Sequence, residues 1–296
     1  MPPPSDPAAG NRNSSHMQSL TKPFSRPLNY LWRGLRAGSY PLVGIYYFLR
    51  HPEFYPLFAG RLLPLSLISL LVYFILFAFA FLPQFAFLAI FHGWGAWVNA
   101  VVLVLGEGLI IIQALFEGFF VDEVRVDVFD AILINFSLTD LIAPHRLLFP
   151  DAPNSVKMLG KPTSPAVYSP WSLTQIAELI IFLPLNLVPV VGVPAFITIT
   201  GTRLGKLCHY RWYQLRGLDR RQRKEENAKR TWEYIWFGTA AMILELVPVL
   251  SLFFLLTSTA GAALWVAKLE SETRVVVPED AVAARAAGVP YEDDPV

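Results

Sequence analysis

The stretch LPLNLVPVVGVP, residues 183–194, decides the fold. It lies within an apolar run long enough to cross a membrane, yet it contains Pro184, Pro189 and Pro194, with Gly192 before the last of them. A proline removes a backbone donor and clashes with the preceding turn, so a helix bends or breaks there. An apolar run broken in its middle predicts two half-helices that enter a membrane and turn back.

The chain is strongly apolar, and its charges are unevenly placed. Of its 296 residues, 54% are hydrophobic and 16% are charged, whereas about a quarter of the residues in a soluble domain are charged. A helix needs about 20 apolar residues to cross a membrane, and a soluble helical bundle would need charged outer faces. We therefore predict an all-α integral membrane protein. Three uncharged runs support this prediction: residues 62–106, 179–202 and 246–267.

The apolar sequence divides into segments of two predicted kinds. The segments at about 62–82 and 97–120 predict long transmembrane helices, and Pro83 is expected to end the first. The segments at about 173–202 and 235–266 predict re-entrant helical hairpins, because prolines interrupt both of them.

A weak internal repeat links the third and fourth segments. NLVPVVG, from Asn186 to Gly192, matches ELVPVLS, from Glu245 to Ser251. The match is short and consists of common membrane residues, so chance remains the rival explanation. A true repeat predicts that the fourth segment also turns back. The predicted helix-breaking residues are then Pro184, Pro189, Pro194 and Pro248.

The membrane domain is predicted to extend over residues 28–270. Within it, residues 28–61 mix aromatic and basic side chains and predict interfacial amphipathic helices. A further amphipathic stretch is expected at Phe129–Leu141. The flanking tails, the polar residues 1–27 and the acidic residues 271–296, are predicted to be disordered.

The basic residues indicate how the segments are oriented, because lysine and arginine favour the cytosolic side. Seven precede residue 62 and ten lie between residues 203 and 230, so both regions and both termini are predicted to be cytosolic. The third segment then begins and ends in the cytosol, which a hairpin allows and a single crossing does not. With no charged region on the far side, the protein suits the endoplasmic reticulum or the monolayer of a lipid droplet.

Two long stretches resemble the superfamily of CysZ and the etoposide-induced membrane proteins. They are LPLNLVPVVGVPAFITITGTRLGKLCHYRWYQLRGL and FGTAAMILELVPVLSLFFLLTSTAGAALWVAKLE, and the resemblance extends over roughly residues 30–270. The stretches RHPEFYPLFAGRLLPLS and LGEGLIIIQALFEGFFVDEVRVDVFDAIL are similar to the fungal Lds-type branch, which is associated with lipid droplets and the outer spore wall.

The resemblance implies two different functions. The Lds-type branch implies a non-enzymatic membrane protein that supports lipid handling or spore-wall assembly during sporulation. The bacterial CysZ branch implies an anion transporter or channel, with sulfate as the substrate. A shared fold does not choose between these functions, although the long polar insertion at 121–172 departs from the bacterial pattern.

The apolar segments contain polar residues that could form an anion site. Glu107 lies between Gly106 and Gly108, and a carboxylate in a membrane is paired, protonated or in a wet cavity. Half-helix N-termini at the broken turns favour anions. The alternative is that carboxylates and hydroxyls only satisfy packing and backbone groups. The candidate residues are Glu107, Asn186, Gly192, Thr198, Thr200, Glu245, Ser251 and Thr257.

The basic segment 203–230 predicts contact with anionic lipid headgroups, although membrane orientation alone would explain the same charges. No nucleic-acid-binding module, zinc-type His/Cys spacing or paired nucleophile and base accompanies it. We therefore predict membrane lipids as partners and neither nucleic acid nor a cofactor nor enzymatic activity, and leave a homo-oligomer open. The predicted headgroup contacts are Arg203, Lys206, Arg211, Arg216, Arg220 and Arg221.

Overall fold

The computed structural model is mostly helical, as the sequence predicts. It describes residues 22–118, 121–163, 181, 185, 188, 191–247 and 250–275. The first half contains α1 (Lys22–Arg50), α2 (Tyr55–Phe79), α3 (Phe81–His92), α4 (Ala96–Gly118) and α5 (Val121–Asn135). It continues with α6 (Thr139–Ile142), β1 (Arg146–Leu148), α7 (Ser155–Met158) and β2 (Leu159–Pro162). The second half contains α8 (Gly192–Leu207), α9 (Tyr210–Leu215), α10 (Arg220–Lys229), α11 (Thr231–Glu245) and α12 (Ser251–Val275).

Among the described residues, two helical stretches are long and apolar enough to cross a membrane, Gly93–Ile112 and Ser251–Arg274. A third span results if Pro52–Ala59 and Pro64–Phe79, which are bent by 59° relative to each other, act together. These helices confirm the prediction of a helical membrane protein by their length and composition. The bend precedes Pro64, where a proline removes a backbone hydrogen bond, and the helix Pro64–Phe79 lies within the first predicted segment, 62–82.

Several predicted boundaries need correction. The helix α2 ends at Phe79, and Pro83 lies in the first turn of α3, where a helix needs no backbone donor. Pro83 therefore does not end the first segment. The helix α1 begins at Lys22, within the predicted N-terminal tail, and α12 ends at Val275, beyond residue 270. The remainder of both tails lies outside the described residues.

The helix α5 is a central element of the core rather than the amphipathic surface helix expected near Phe129–Leu141. Its residues from Val128 to Leu133 are all fully buried. Burial on every face follows from its neighbours, because α12, α7 and β2 pack around it together with parts of α2 and α4. The interpretation of this stretch as amphipathic is therefore wrong.

A short antiparallel ribbon, which the sequence analysis did not predict, lies beside α5. The strands β1 and β2 pair Arg146 with Pro162 and Leu148 with Leu159. Between the strands, the side chain of Asn154 caps α7 by accepting a hydrogen bond of 2.9 Å from the backbone of Lys157. The ribbon brings Arg146 into the core.

The helices α8 and α11 pack closely because glycines line their contact. A side chain at Gly201 would place its Cβ 2.7 Å from the backbone nitrogen of Thr239, and one at Gly205 would meet the carbonyl of Tyr234. Small residues allow such backbone contact between membrane helices. The order of the contacts shows that α8 and α11 run antiparallel.

The helix α1 runs in the same direction as α11. Trp232 of α11 donates a hydrogen bond of 2.7 Å to the carbonyl of Tyr30. One to two turns further along both helices, Trp236 lies against Gly34 and Gly38. Arg33 also forms an ion pair with Glu233.

The helix α1 runs in the opposite direction to α12. Tyr40 stacks on Trp265 with ring centroids 5.6 Å apart, and Phe48 contacts Phe253 at 5.7 Å. The helices α11 and α12 are therefore antiparallel, and the chain reverses between Leu246 and Ser251. The predicted turning residue Pro248 lies outside the described residues. Re-entry of this helix pair into a membrane stays a prediction.

Candidate functional site

A buried ionic cluster joins three segments that are distant in sequence. Asp130 of α5 is fully buried. Arg211 of α9 donates two hydrogen bonds to it, from Nε to Oδ1 at 3.0 Å and from Nη2 to Oδ2 at 2.7 Å. Such a bidentate geometry is the strong form of an arginine–carboxylate pair.

Arg146 extends the cluster to the β ribbon. Its guanidinium donates to Asp130 at 3.3 Å, to Asp127 at 2.6 Å and to the carbonyl of Gly160 at 2.6 Å. Burial raises the pKa of the Asp127 carboxyl, and the charge of Arg146 opposes this rise. The two carboxylates balance the two guanidinium groups, Arg146 and Arg211.

A second cluster attaches the end of α12 to α9. The buried Glu270 accepts hydrogen bonds from Trp212 Nε1 at 2.6 Å and from Arg216 Nε and Nη2 at 2.7 and 2.9 Å. The guanidinium of Arg216 also lies over the Trp212 ring, 5.1 Å from its centroid. Because a bilayer cannot separate hydrogen-bonded side chains, α5, the β ribbon, α9 and the end of α12 lie on one side of any membrane.

These clusters involve two of the residues that were predicted to contact headgroups. Arg211 is only 3% exposed and is occupied by Asp130, so its prediction as a headgroup contact is wrong. Arg216 pairs with Glu270, but its side chain remains 34% exposed, so its contact with headgroups stays a prediction. Sequence reasoning missed these pairs because the partners lie 81 and 54 positions away, and nothing in the local pattern indicates them.

A basic cleft, which we define by its four cationic lining residues Lys206, Arg220, Arg223 and Lys224, opens between α8, α9 and α10. Its volume is about 720 Å³. Lys206 and Arg220 were predicted to contact headgroups, and both side chains are exposed. Polar groups complete the lining, namely Tyr210, Tyr213, Asn227 and Thr231.

The helix α10 presents its cations to the cleft because it is capped and regularly spaced. Asp219 and Gln222 form a capping box, with hydrogen bonds of 2.8 and 2.9 Å between side chain and backbone. Positions three, four and seven apart share one face of a helix. Arg220, Arg223, Lys224 and Asn227 therefore point to the same side. This spacing was the signal that could have identified Arg223 and Lys224.

The other predicted headgroup contacts lie away from the cleft lining. Arg221 is exposed on another face of α10 and pairs with Glu225 at 3.1 Å. Arg203 is half-buried on α8, one turn before Lys206.

Buried tyrosines connect the cleft to the core. The Tyr213 hydroxyl is hydrogen-bonded to Asn227 at 3.3 Å and to the hydroxyl of Tyr234 at 2.8 Å. The Tyr234 hydroxyl is in turn hydrogen-bonded to His209 Nδ1 at 2.9 Å. Burial lowers the pKa of His209 to about 3 and raises that of Tyr213 to about 12. Both side chains are therefore neutral near pH 7.

A second cleft, of about 980 Å³, lies beside the β ribbon. Its lining mixes acidic and basic side chains, including Glu123, Asp127, Arg146 and Lys161. The basic cleft differs because it contains no carboxylate among its lining residues.

The polar residues of the membrane segments are engaged in local contacts. Gln84 of α3 donates to both carboxylate oxygens of Glu107, at 2.9 and 2.8 Å. The Thr198 hydroxyl donates to the carbonyl of Pro194 at 2.8 Å. The Thr257 hydroxyl donates to the backbone carbonyl of Phe253 at 3.0 Å. These contacts fit the packing alternative.

The helices that carry the predicted anion site meet through apolar side chains. The contact between α4, α8 and α11 consists of Leu109, Phe196, Met242 and Leu246.

The remaining predicted site residues that the structure describes lie at helix ends, except Thr200. Gly192 is the first residue of α8, and Pro194 lies in its first turn, where it starts a helix rather than breaking one. Thr200 is half-buried further along α8. Glu245 and Ser251, both buried, end α11 and begin α12. Four predicted residues lie outside the described part of the chain: Pro184, Asn186, Pro189 and Pro248.

No family model, curated protein or solved structure matches this chain.

Replacing Asp130 by asparagine should strongly destabilise the protein. Removing one partner of a buried ion pair costs about 3–5 kcal/mol, because the remaining charge is left uncompensated. The matched control is Asp140→Asn, since Asp140 is 60% exposed in its pair with Arg274 and such pairs contribute about 0–1 kcal/mol. Thermal unfolding of both variants in one detergent should show a large loss only for Asp130→Asn, and equal unfolding midpoints would contradict the structural role of the cluster.

Proposed function

We propose that this chain is a non-enzymatic, multi-pass membrane protein of the endoplasmic reticulum or lipid droplets that supports lipid handling or assembly of the outer spore wall. The observation that carries the proposal is the segregation of the surface. The ion-pair clusters and the basic cleft share α9, whereas α2, α3 and α4 expose large apolar side chains.

The exposed apolar surface favours insertion into lipid. Soluble monomers rarely expose contiguous apolar patches larger than a few hundred Å². Large apolar side chains are exposed along α2, α3 and the turn that follows them, including Phe74, Phe79, Leu82, Ile90 and Trp94.

The turn between α3 and α4 is compatible with insertion into a droplet monolayer as well as into a bilayer. Gln84 meets Glu107 and Leu88 packs against Ala96 and Ala100, so α3 and α4 run antiparallel. The turn between them is Gly93–Gly95, where Trp94 is 95% exposed. The turn has no charged side chain, so it could lie in oil without burying a charge.

Anion transport resembling that of CysZ is the second candidate. One observation favours it: the buried Ser251 hydroxyl, at the start of α12, has no hydrogen-bond partner among the described residues, and a helix N-terminus attracts anions. Against it, α4, α8 and α11 contact one another through apolar side chains.

The proposal is tested by imaging the protein with a C-terminal tag, together with a neutral-lipid dye and an endoplasmic reticulum marker. After fatty-acid loading, the protein should move onto droplets. Trp94→Asp should stop this movement, because the charge would enter the oil. Leu147→Asp, at an exposed position on β1, should not. Exclusion of the wild-type protein from droplets, or equal behaviour of the two variants, would contradict the droplet proposal.

A flux assay in liposomes separates the two candidates. The lipid-handling proposal predicts no saturable sulfate uptake above that of empty liposomes, because Glu107 is held by Gln84. Saturable uptake that is lost in Glu107→Ala and Glu245→Ala would favour transport instead.

A further inference from the structure

We propose that the basic cleft binds a phosphomonoester, the dianionic phosphate group found on some lipid headgroups and on small sugar phosphates. The cleft brings two arginines and two lysines to one space of about 720 Å³. Ligand pockets commonly measure about 300–1,000 Å³, so this space accommodates a phosphate together with a small polar group attached to it.

The charge of the cleft is not neutralised from within. The carboxylates of α10 face elsewhere, since Glu225 pairs with Arg221 and Glu226 pairs with Lys229 and Arg230. In contrast, three of the lining cations have no ion-pair or hydrogen-bond partner among the described residues, namely Lys206, Arg220 and Lys224. An anion entering the cleft would therefore meet uncompensated positive charge.

Two side chains of the cleft are already positioned. Arg223 donates from Nε to the carbonyl of Leu218 at 2.7 Å and lies over the Tyr210 ring at 5.2 Å. Asn227 accepts from the Tyr213 hydroxyl through its oxygen, which leaves its amide nitrogen as a donor. Donors held in place before binding lose less conformational entropy when a ligand arrives.

The side chains, rather than the helix terminus, make this site. The carboxylate of Asp219 already occupies the N-terminus of α10 by accepting from the backbone of Gln222. Arginine and lysine together bind phosphate through bidentate hydrogen bonds and charge. A phosphomonoester carries about −1.5 to −2 charges at pH 7, so it suits four cations better than a singly charged phosphodiester does.

The position of the cleft favours a lipid as the source of the phosphate. Lys206 lies near the end of α8 and Thr231 begins α11, and these antiparallel helices carry their apolar residues away from the cleft. The cleft therefore lies where the chain leaves the apolar layer, which is the level of lipid headgroups. Only the assignment of the phosphate to a lipid rests on the proposed function; the phosphomonoester site itself does not.

The test uses the full chain in detergent and counts bound lipid by native mass spectrometry. The probes are phosphatidic acid, a phosphomonoester, and phosphatidylglycerol, a phosphodiester. The wild-type protein should retain phosphatidic acid preferentially. The double variant Arg220→Gln with Lys224→Gln should weaken this binding by at least about tenfold, because two charge-assisted contacts are lost.

The matched control removes the same charge from another face of the same helix. Arg221→Gln with Lys229→Gln should leave the binding of phosphatidic acid unchanged, because both residues pair with glutamates outside the cleft. Equal losses in the two double variants, or equal retention of the two lipids by the wild-type protein, would overturn the proposal.

A soluble probe distinguishes the source of the phosphate. Glycerol 3-phosphate that displaces phosphatidic acid, and binds less to Arg220→Gln with Lys224→Gln, would support the cleft while showing that it accepts a free phosphomonoester. Displacement that is equal in the cleft variant and the control variant would overturn the site. These measurements need no droplets, so failure of droplet targeting and failure of the cleft are separate results.

Discussion

The buried carboxylate of Asp130 is the constraint on which the polar half of the structure depends. It accepts hydrogen bonds from Arg211 of α9 and from Arg146 of the β ribbon, so one side chain joins three segments. Removing a charge from water is costly, and only paired geometry offsets that cost. The position of α9 in turn determines the basic cleft, because Tyr210 and Tyr213 of α9 form part of its lining.

Close helix packing connects this polar half to the apolar half. Gly201 and Gly205 of α8 lie directly against the backbone of α11, and the same two helices carry Lys206 and Thr231 to the cleft. The hydrogen bond between Tyr213 and Tyr234 extends the connection into the core. The packing of the apolar helices therefore positions the cations that line the basic cleft.

The sequence predicted features that depend on local information. Uncharged runs predicted the apolar helices. The density of lysine and arginine predicted headgroup contacts at Lys206 and Arg220, which the structure shows to be exposed and whose contact with headgroups stays a prediction. Local patterns could not separate these residues from Arg211, whose partner Asp130 is 81 positions away. Nor could they decide whether the Thr198 hydroxyl would bind an anion or its own helix, because the same residue type does both.

Cysteine accessibility tests the central claim, that the polar regions share one side of the membrane, most directly. Cys208 is buried and is replaced by alanine to give a cysteine-free background. Three variants then each carry one cysteine, in place of Asp151, Lys224 or Trp94. Sealed microsomes that contain each variant are treated with an impermeant maleimide. We expect the first two positions to react together from the cytosolic side and position 94 to react only after the membrane is opened. Reaction of positions 151 and 224 from opposite sides would contradict the account.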